Sequence, residues 1–348
     1  MNKWISTKES KWVTKWNDIV LNDPNSVFLQ SSFRVSTYLK QGMDWELLLC
    51  IDENNNILLG SANVIVKLSI FKIYVSSYGP TINLNNNKYF DDYISHFINR
   101  AKELKAFSSQ ISMTLDASVD SKYNGIDKKL FNNITTPQFK NLISLKEDQV
   151  YLSNEDLIGS FKSKCRRDVR SSYRKGLTSK FPTLEDELRI AYSCIELNAK
   201  IKGYYVRSWN QMKDFLINSV ESNRTYVITA WINDKIEGAI LLERSYDTLS
   251  YTMGGVYRSN PDLLTGYFLQ FEAMLLAKRL DLGQYDISYG GPTQVQRFKK
   301  MFNPILSENY KNIHFIHTNW KYLIFKKLYD NMKNIILKII QLKDNLTK

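Results

Sequence analysis

The chain is 348 residues long and has little histidine, little cysteine and no long apolar run. Its three histidines are not clustered with cysteine, which excludes the Cys/His spacing of a zinc site. The three cysteines, Cys50, Cys165 and Cys194, are odd in number and far apart, so they read as buried thiols of a reducing compartment rather than as a disulfide framework. No stretch approaches the roughly 20 apolar residues that span a bilayer, and Met1 to Asp23 is mixed and polar where a secretory leader would be basic and then apolar. The expected address is therefore the cytoplasm. A sustained heptad segment is also missing, which argues against a coiled-coil arm.

What is present is a globular composition, 43% hydrophobic and 13% aromatic, at a length that suits two domains. The net charge is +12, from 47 Lys and Arg against 35 Asp and Glu. Such an excess concentrates anionic partners such as nucleic acid, nucleotide-linked substrates or an acidic membrane face. Abundant Lys, Asn and Ile account for part of the average; the local clustering of charge is the informative part.

Two regions share one order of elements. In the first, Trp45–Ile51, Ile57–Leu68 and Phe71–Ser77 read as strands separated by an Asn-rich turn and ended by Tyr78-Gly79-Pro80. A helix over about Lys88–Lys105 follows, with Tyr89, Tyr93, Phe97 and Ala101 at spacing four, and then a strand over Gln110–Leu115. In the second, Thr225–Ile232, Ile236–Ser245 and Leu249–Thr252 read as strands ended by Gly254-Gly255, followed by a helix over Thr265–Leu280 and a strand over Tyr285–Ser288. Meander, glycine break, long helix and strand occur twice, which predicts a duplicated α/β unit with mixed sheets.

Several segments are suited to chemistry. YDISYGGPTQVQRFKKMF, Tyr285–Phe302, sets Asp286 at a strand end, breaks at Gly290-Gly291-Pro292 and closes on Phe298-Lys299. From Phe161 to Lys180 there are eight Lys and Arg against one acid, Asp168. On a helix, Lys162, Arg166, Arg170 and Arg174 form a basic stripe beside an apolar one of Phe161, Cys165, Val169 and Tyr173. A basic stripe at one-turn intervals suits a phosphate backbone, and a solvated helix face is the plainer alternative. Asn198–Met212 carries Tyr204, Tyr205 and Arg207, and Phe28–Gly42 carries Arg34 and Lys40. The loop Arg258–Gly266 has one glycine where a coenzyme A pyrophosphate loop would have several, so the backbone N–H cradle at that helix start is not written in the sequence. The segment Asn319–Lys348, with seven Lys against two Asp, reads as an amphipathic helix that packs back on the first domain or lies on an anionic membrane.

These motifs together resemble the FemABX family, aminoacyltransferases that extend peptidoglycan stem peptides. Tyr285–Phe302 resembles that family's "DfgG … FK..F" segment, Phe28–Phe33 its "fLQs..W" opening with Phe33 at the Trp position, and Ser77–Asn83 its "RGPv.D" turn. In that turn Tyr78 replaces Arg and Asn83 replaces Asp. The 161–176 stretch resembles its "kcRrdIrkAekkG" entry to a second domain. The resemblance implies two tandem GNAT-like acyltransferase domains with a cleft between them, 1–150 and 151–319, with 320–348 packing back on the first. It also implies Lys299 and Phe298 as catalytic residues. Lys40, then Arg34, together with Tyr78, Asn83, Tyr204, Arg207, Tyr251, Gly254 and Asp286, would bind substrate, and Lys162, Arg166, Arg170 and Arg174 would bind tRNA.

The implied reaction moves an aminoacyl group from aminoacyl-tRNA to an amine of a nucleotide- or lipid-linked cell-wall precursor, with no metal and no bound cofactor. Two other readings fit the same residues: a GNAT-like N-acyltransferase acting on an amino sugar, with acyl-CoA as donor, and a non-catalytic RNA-binding protein built on the basic helix. The expected location is the cytoplasm, with a peripheral contact at the inner face of the membrane as the alternative if the C-terminal helix lies on lipid rather than packing back.

Overall fold

The computed structural model describes residues 2–24, 26–68, 70–82, 89–114, 139–257, 261–308, 310–328 and 331. The chain begins with β1 (Lys3–Thr7), α1 (Ser10–Asn22) and α2 (Ser32–Ser36). It continues through β2 (Asp44–Ile51), β3 (Ile57–Leu68), β4 (Phe71–Ser77), β5 (Thr81–Ile82), α3 (Phe90–Glu103) and β6 (Ser108–Thr114). Next come β7 (Phe139–Ser144), the small hairpin β8 (Lys146–Glu147) and β9 (Val150–Tyr151), α4 (Asn154–Gly159), α5 (Ser163–Arg174), β10 (Thr178–Lys180), α6 (Glu185–Lys202) and α7 (Trp209–Glu221). The last part holds β11 (Thr225–Ile232), β12 (Lys235–Ser245), β13 (Thr248–Val256), α8 (Thr265–Arg279), β14 (Gln284–Asp286), α9 (Thr293–Lys299), β15 (Ile305–Glu308) and β16 (Tyr310–Ile316). A further helix, α10, covers 319–328.

The chain forms two compact units. Unit 1 contains residues 1–8, 42–136 and 311–348. Its sheet runs β1-β2-β3-β4-β6-β16, with β5 paired to β3. The meander β1 to β4 is antiparallel and β4–β6 is parallel, so α3 is the crossover that a parallel pair requires. The expected apolar face of that helix is the one buried: Tyr93, Phe97 and Ala101 lie against Leu48, Leu59, Ile65 and Tyr74. Asp91 and Asp92 in its first turn and Arg100 and Lys102 in its last match the helix dipole. Glu46 is buried and fully used, taking two hydrogen bonds from Arg100 at 2.8 Å and one from Tyr74 at 2.9 Å. In α10, Tyr322 and Phe325 pack against Phe71, Ile73, Val75 and Phe107 of this unit.

Unit 2 contains residues 9–41 and 137–310. Its sheet runs β10-β11-β12-β13-β14-β7-β15. The predicted meander is present as β11, β12 and β13, and β13–β14 is parallel across α8. Alternation along the strands separates two cores. Ile228, Ala230, Ile240 and Leu242 pack with α5 and α8 on one face. Val227, Ala239 and Leu241 pack with α6 and α7 on the other.

Two features of this unit differ from the sequence expectation. Gly254 and Gly255 do not end a strand: they lie inside β13, where a Cβ on Gly255 would sit 2.2 Å from the Cys194 carbonyl oxygen. Helix α6 presses directly on the strand there. The boundaries also differ from 1–150 and 151–319. Residues 9–41 join unit 2 because Tyr246 N–H donates to the Leu21 carbonyl and Arg224 to the Asn17 carbonyl at 2.8 Å. Residues 139–144 join it as β7, antiparallel to both β14 and β15.

Candidate active site

The parallel ladder between β13 and β14 is short. It pairs Thr248 with Gln284, Leu249 with Tyr285 and Ser250 with Asp286, while β13 itself continues to Val256. From Tyr251 onward β13 keeps β12 on one side and, among the described residues, has no strand on the other. The two strands part here, and the backbone of β13 is left available along one edge. Opposite Leu241 and Leu242 the register slips, so Thr252 is an extra residue, a bulge that turns Tyr251 and Met253 at the parting point.

Just beyond the end of β14, Ser288, Gly290 and Gly291 all have left-handed backbone, with φ of 61°, 96° and 100°. Two glycines are what such a loop needs, since they take positive φ without steric penalty. The loop folds back at once into α9, whose last residue is Lys299. Its ammonium donates to Ser288 Oγ at 2.7 Å and to the Gly290 carbonyl at 3.3 Å, and it lies 5.6 Å from the centre of the Tyr251 ring. Asp286 accepts from Ser288 N–H at 2.8 Å and from Asn141 N–H at 3.2 Å. Asn141 Nδ2 also donates to the Ser288 carbonyl at 3.1 Å, so β7 clamps the loop from the other side.

The electrostatics follow from burial. Lys299 is 5% exposed. Burial brings its pKa down to about 8, against the opposing pull of Asp286. Burial pushes the Asp286 carboxyl up, opposed by Lys140, by the two N–H donors and by Lys299. The Tyr251 hydroxyl is pushed up by burial and by the nearby Tyr204. A Cβ on Gly254 would meet that hydroxyl at 2.9 Å, so the glycine makes room for Tyr251. Lys299, Asp286, Tyr251, Tyr204 and Gly254 are thus one neighbourhood. Phe298 is turned to the aromatic core instead, with its ring 4.9 Å from Tyr267 and 5.4 Å from Phe302, over Gly266 in the first turn of α8.

A second group lies in the same unit. Arg34 on α2 is mostly covered and Glu243 on β12 is buried, with Nη1 and Oε1 3.2 Å apart. Among the described residues the Arg34 Nε and Nη1 atoms and Glu243 Oε1 make no hydrogen bond. Arg207 donates to Thr37 Oγ1 and lies 4.4 Å from the Tyr38 ring centre. Burial and then Arg34 press the Arg207 pKa down. Burial pushes the Glu243 carboxyl up, with Arg34 and Arg207 opposing. Arg34 pairs with the buried carboxylate and Arg207 acts on it only through its field, so the group keeps a net positive charge and the Arg34 donors stay unsatisfied. Lys40 is elsewhere, exposed and 3.0 Å from Asp214. Arg34, the second choice from sequence, is therefore the one that joins Arg207.

Tyr78 lies in unit 1, buried and with φ 58° just before a cis Gly79–Pro80 bond. Asn83 and Arg258 lie outside the described residues. On α5, Arg166 donates to the Gly159 and Phe161 carbonyls at 3.1 Å and Arg170 pairs with Glu155 at 2.5 Å. Lys162 and Arg174 are exposed. Sequence reading passed over Ser288, Asn141 and Glu243. Ser288 stood in the segment already singled out, whereas Asn141 and Glu243 act only through long-range pairing and carry no local signal.

No protein-family model matches the chain, and no curated protein sequence is similar to it. Solved structures are similar in fold. FemX superposes with a TM-score of 0.77 over 92% of this chain and 100% of that one, at 13% identity. L-PGS from Bacillus licheniformis gives 0.52 over 92% and 96%, at 10% identity. The C-terminal domain (DUF2156) of a protein assigned as a lysylphosphatidylglycerol synthetase from Agrobacterium fabrum gives 0.56 over 92% and 96%, at 11% identity. A tandem GNAT protein from the clavulanic acid biosynthesis pathway gives 0.50 over 90% and 97%, at 8% identity. The fold is mixed α/β, FemABX-like, with two GNAT-like domains in tandem.

Proposed function

We propose that the protein is an N-acyltransferase that moves an aminoacyl group from aminoacyl-tRNA to an amine of a cell-wall precursor. The observation that carries the reading is the buried Lys299 ammonium at the parting of β13 and β14, its pKa brought down to about 8 by burial. The acceptor amine attacks the ester carbonyl, the carbonyl oxygen becomes an oxyanion, and Lys299 stabilises that charge from a site where water does not screen it. The intermediate collapses by expelling the terminal ribose oxygen of the tRNA, which takes up the proton lost by the amine. Ser288 and the Gly290 carbonyl fix the ammonium, so little reorganisation accompanies the step.

Support for the donor comes from the exposed cations of α5. Support for an acceptor with a diphosphate comes from Arg34, whose Nε and Nη1 donors are unsatisfied, and from the guanidinium of Arg207 beside it. The fold likeness to FemX agrees with this reading, and the synthetase likeness agrees with an aminoacyl donor. The likeness to a tandem GNAT protein favours the donor of the second reading, coenzyme A, over aminoacyl-tRNA. Calorimetry with acetyl-CoA and filter binding with charged tRNA separate the two. The first reading expects tRNA binding that weakens steeply with salt and no micromolar acetyl-CoA binding; the reverse pattern overturns it.

A further inference from the structure

Helix α10 has two opposed faces. Tyr322 and Phe325 are buried against the unit 1 sheet. On the other side Trp320, Leu323, Ile324 and Leu328 are 57%, 62%, 44% and 48% exposed. The spacing i, i+3, i+4, i+8 gathers them into one stripe opposite the anchored face. The ten residues 319–328 hold Lys321, Lys326 and Lys327 and no acid. At about 100° per residue, Lys321 and Lys326 fall on the two shoulders of the stripe and Lys327 falls inside it.

The charge placement decides between occupants. Lysine is depleted in the apolar core of protein interfaces, so a lysine within the stripe is poorly placed against a protein partner. At a bilayer surface the same lysine snorkels to an anionic headgroup while its methylenes and the neighbouring side chains sit at the acyl boundary. Tryptophan at one end of the stripe also suits that interface.

We propose that this outer face of α10 is a docking surface for an anionic lipid bilayer, with the helix lying in the interface plane and unit 1 held on it by Tyr322 and Phe325. The inference rests on this helix and not on the transfer reading, and it is tested without any activity assay. The probe is co-sedimentation of the full chain with vesicles of mixed phosphatidylglycerol and phosphatidylcholine, and with phosphatidylcholine vesicles alone. Binding is expected to the mixed vesicles, weakening with salt, and to be marginal on the neutral ones.

Lys321→Gln, Lys326→Gln and Lys327→Gln together should weaken it about a hundredfold, since each basic residue near the surface contributes about fivefold. Leu323→Gln with Ile324→Gln should weaken binding about tenfold or more while leaving the melting transition in place, because both side chains are exposed. The proposal is overturned if the parent does not bind mixed vesicles, if both variants bind as the parent does, or if Leu323→Gln with Ile324→Gln dissociates an oligomer rather than a membrane complex.

Discussion

Replacing Lys299 by Met keeps the length of a buried side chain and removes the charge that is proposed to meet the oxyanion. Removing one such stabilising group from a preorganised site lowers turnover by about a hundredfold or more, with acceptor binding little changed. The structure adds a pH signature. With its pKa brought down to about 8, Lys299 is about nine-tenths protonated at pH 7 and about one-tenth at pH 9. The acceptor amine titrates in the opposite sense, so the raw rate mixes two effects. The ratio of parent to Lys299→Met rates removes the acceptor's titration, and it should fall from about a hundredfold at pH 7 toward about tenfold at pH 9.

Asp286 holds the lysine's pKa up, so the midpoint of that ratio should move to lower pH in Asp286→Asn. Stability should carry the matching sign. Between about pH 8 and the unfolded lysine value of about 10.4, the unfolded chain binds more protons at this position, so parent stability gains with pH across that window where Lys299→Met does not. The assay is single-turnover transfer over a pH series. A ratio near unity, or one that is flat with pH, would refute the charge role and leave Lys299 as a packing residue.

Gly255→Ala should destabilise the protein by about 3 kcal/mol or more, because the new methyl meets backbone atoms of α6 that cannot rotate away; chemical denaturation measures it. Arg207→Ala should raise the acceptor KM with a smaller change in kcat, and Glu243→Gln should weaken acceptor binding less than Arg207→Ala does, since the carboxylate pairs with Arg34 but carries the wrong charge to touch the anion. On α5, Arg174→Gln should reduce the salt slope of tRNA binding by about one without loss of stability, whereas Arg166→Gln should lower the melting temperature because its guanidinium is bonded to the Gly159 and Phe161 carbonyls.

The legible part of the fold was the part written in local periodicity. The meander β2 to β4, the face of α3 and the pattern β11 to β14 all follow from apolar spacing and turn residues within short windows. The site around Lys299 was legible for the same reason: Asp286, the glycines and the lysine lie within fourteen residues, and a left-handed loop returns the last onto the first. What was hidden depends on distance along the chain. Strand β7 has only one fully buried residue, Ile143, and shows its role only once it inserts between β14 and β15. Arg34 met Glu243 only because residues 9–41 join unit 2. Gly254-Gly255 read as a break because glycine usually ends strands, yet here it admits a helix and a tyrosine hydroxyl.

The central claim is tested most directly by following a labelled amino acid from charged tRNA, in the presence of nucleotide- and lipid-linked muropeptide precursors, with parent and Lys299→Met protein side by side. The account predicts that label appears in an amide on the precursor with the parent and is reduced about a hundredfold with the variant. Label that stays on tRNA with the parent, while an amino sugar becomes acylated from acetyl-CoA, would contradict it.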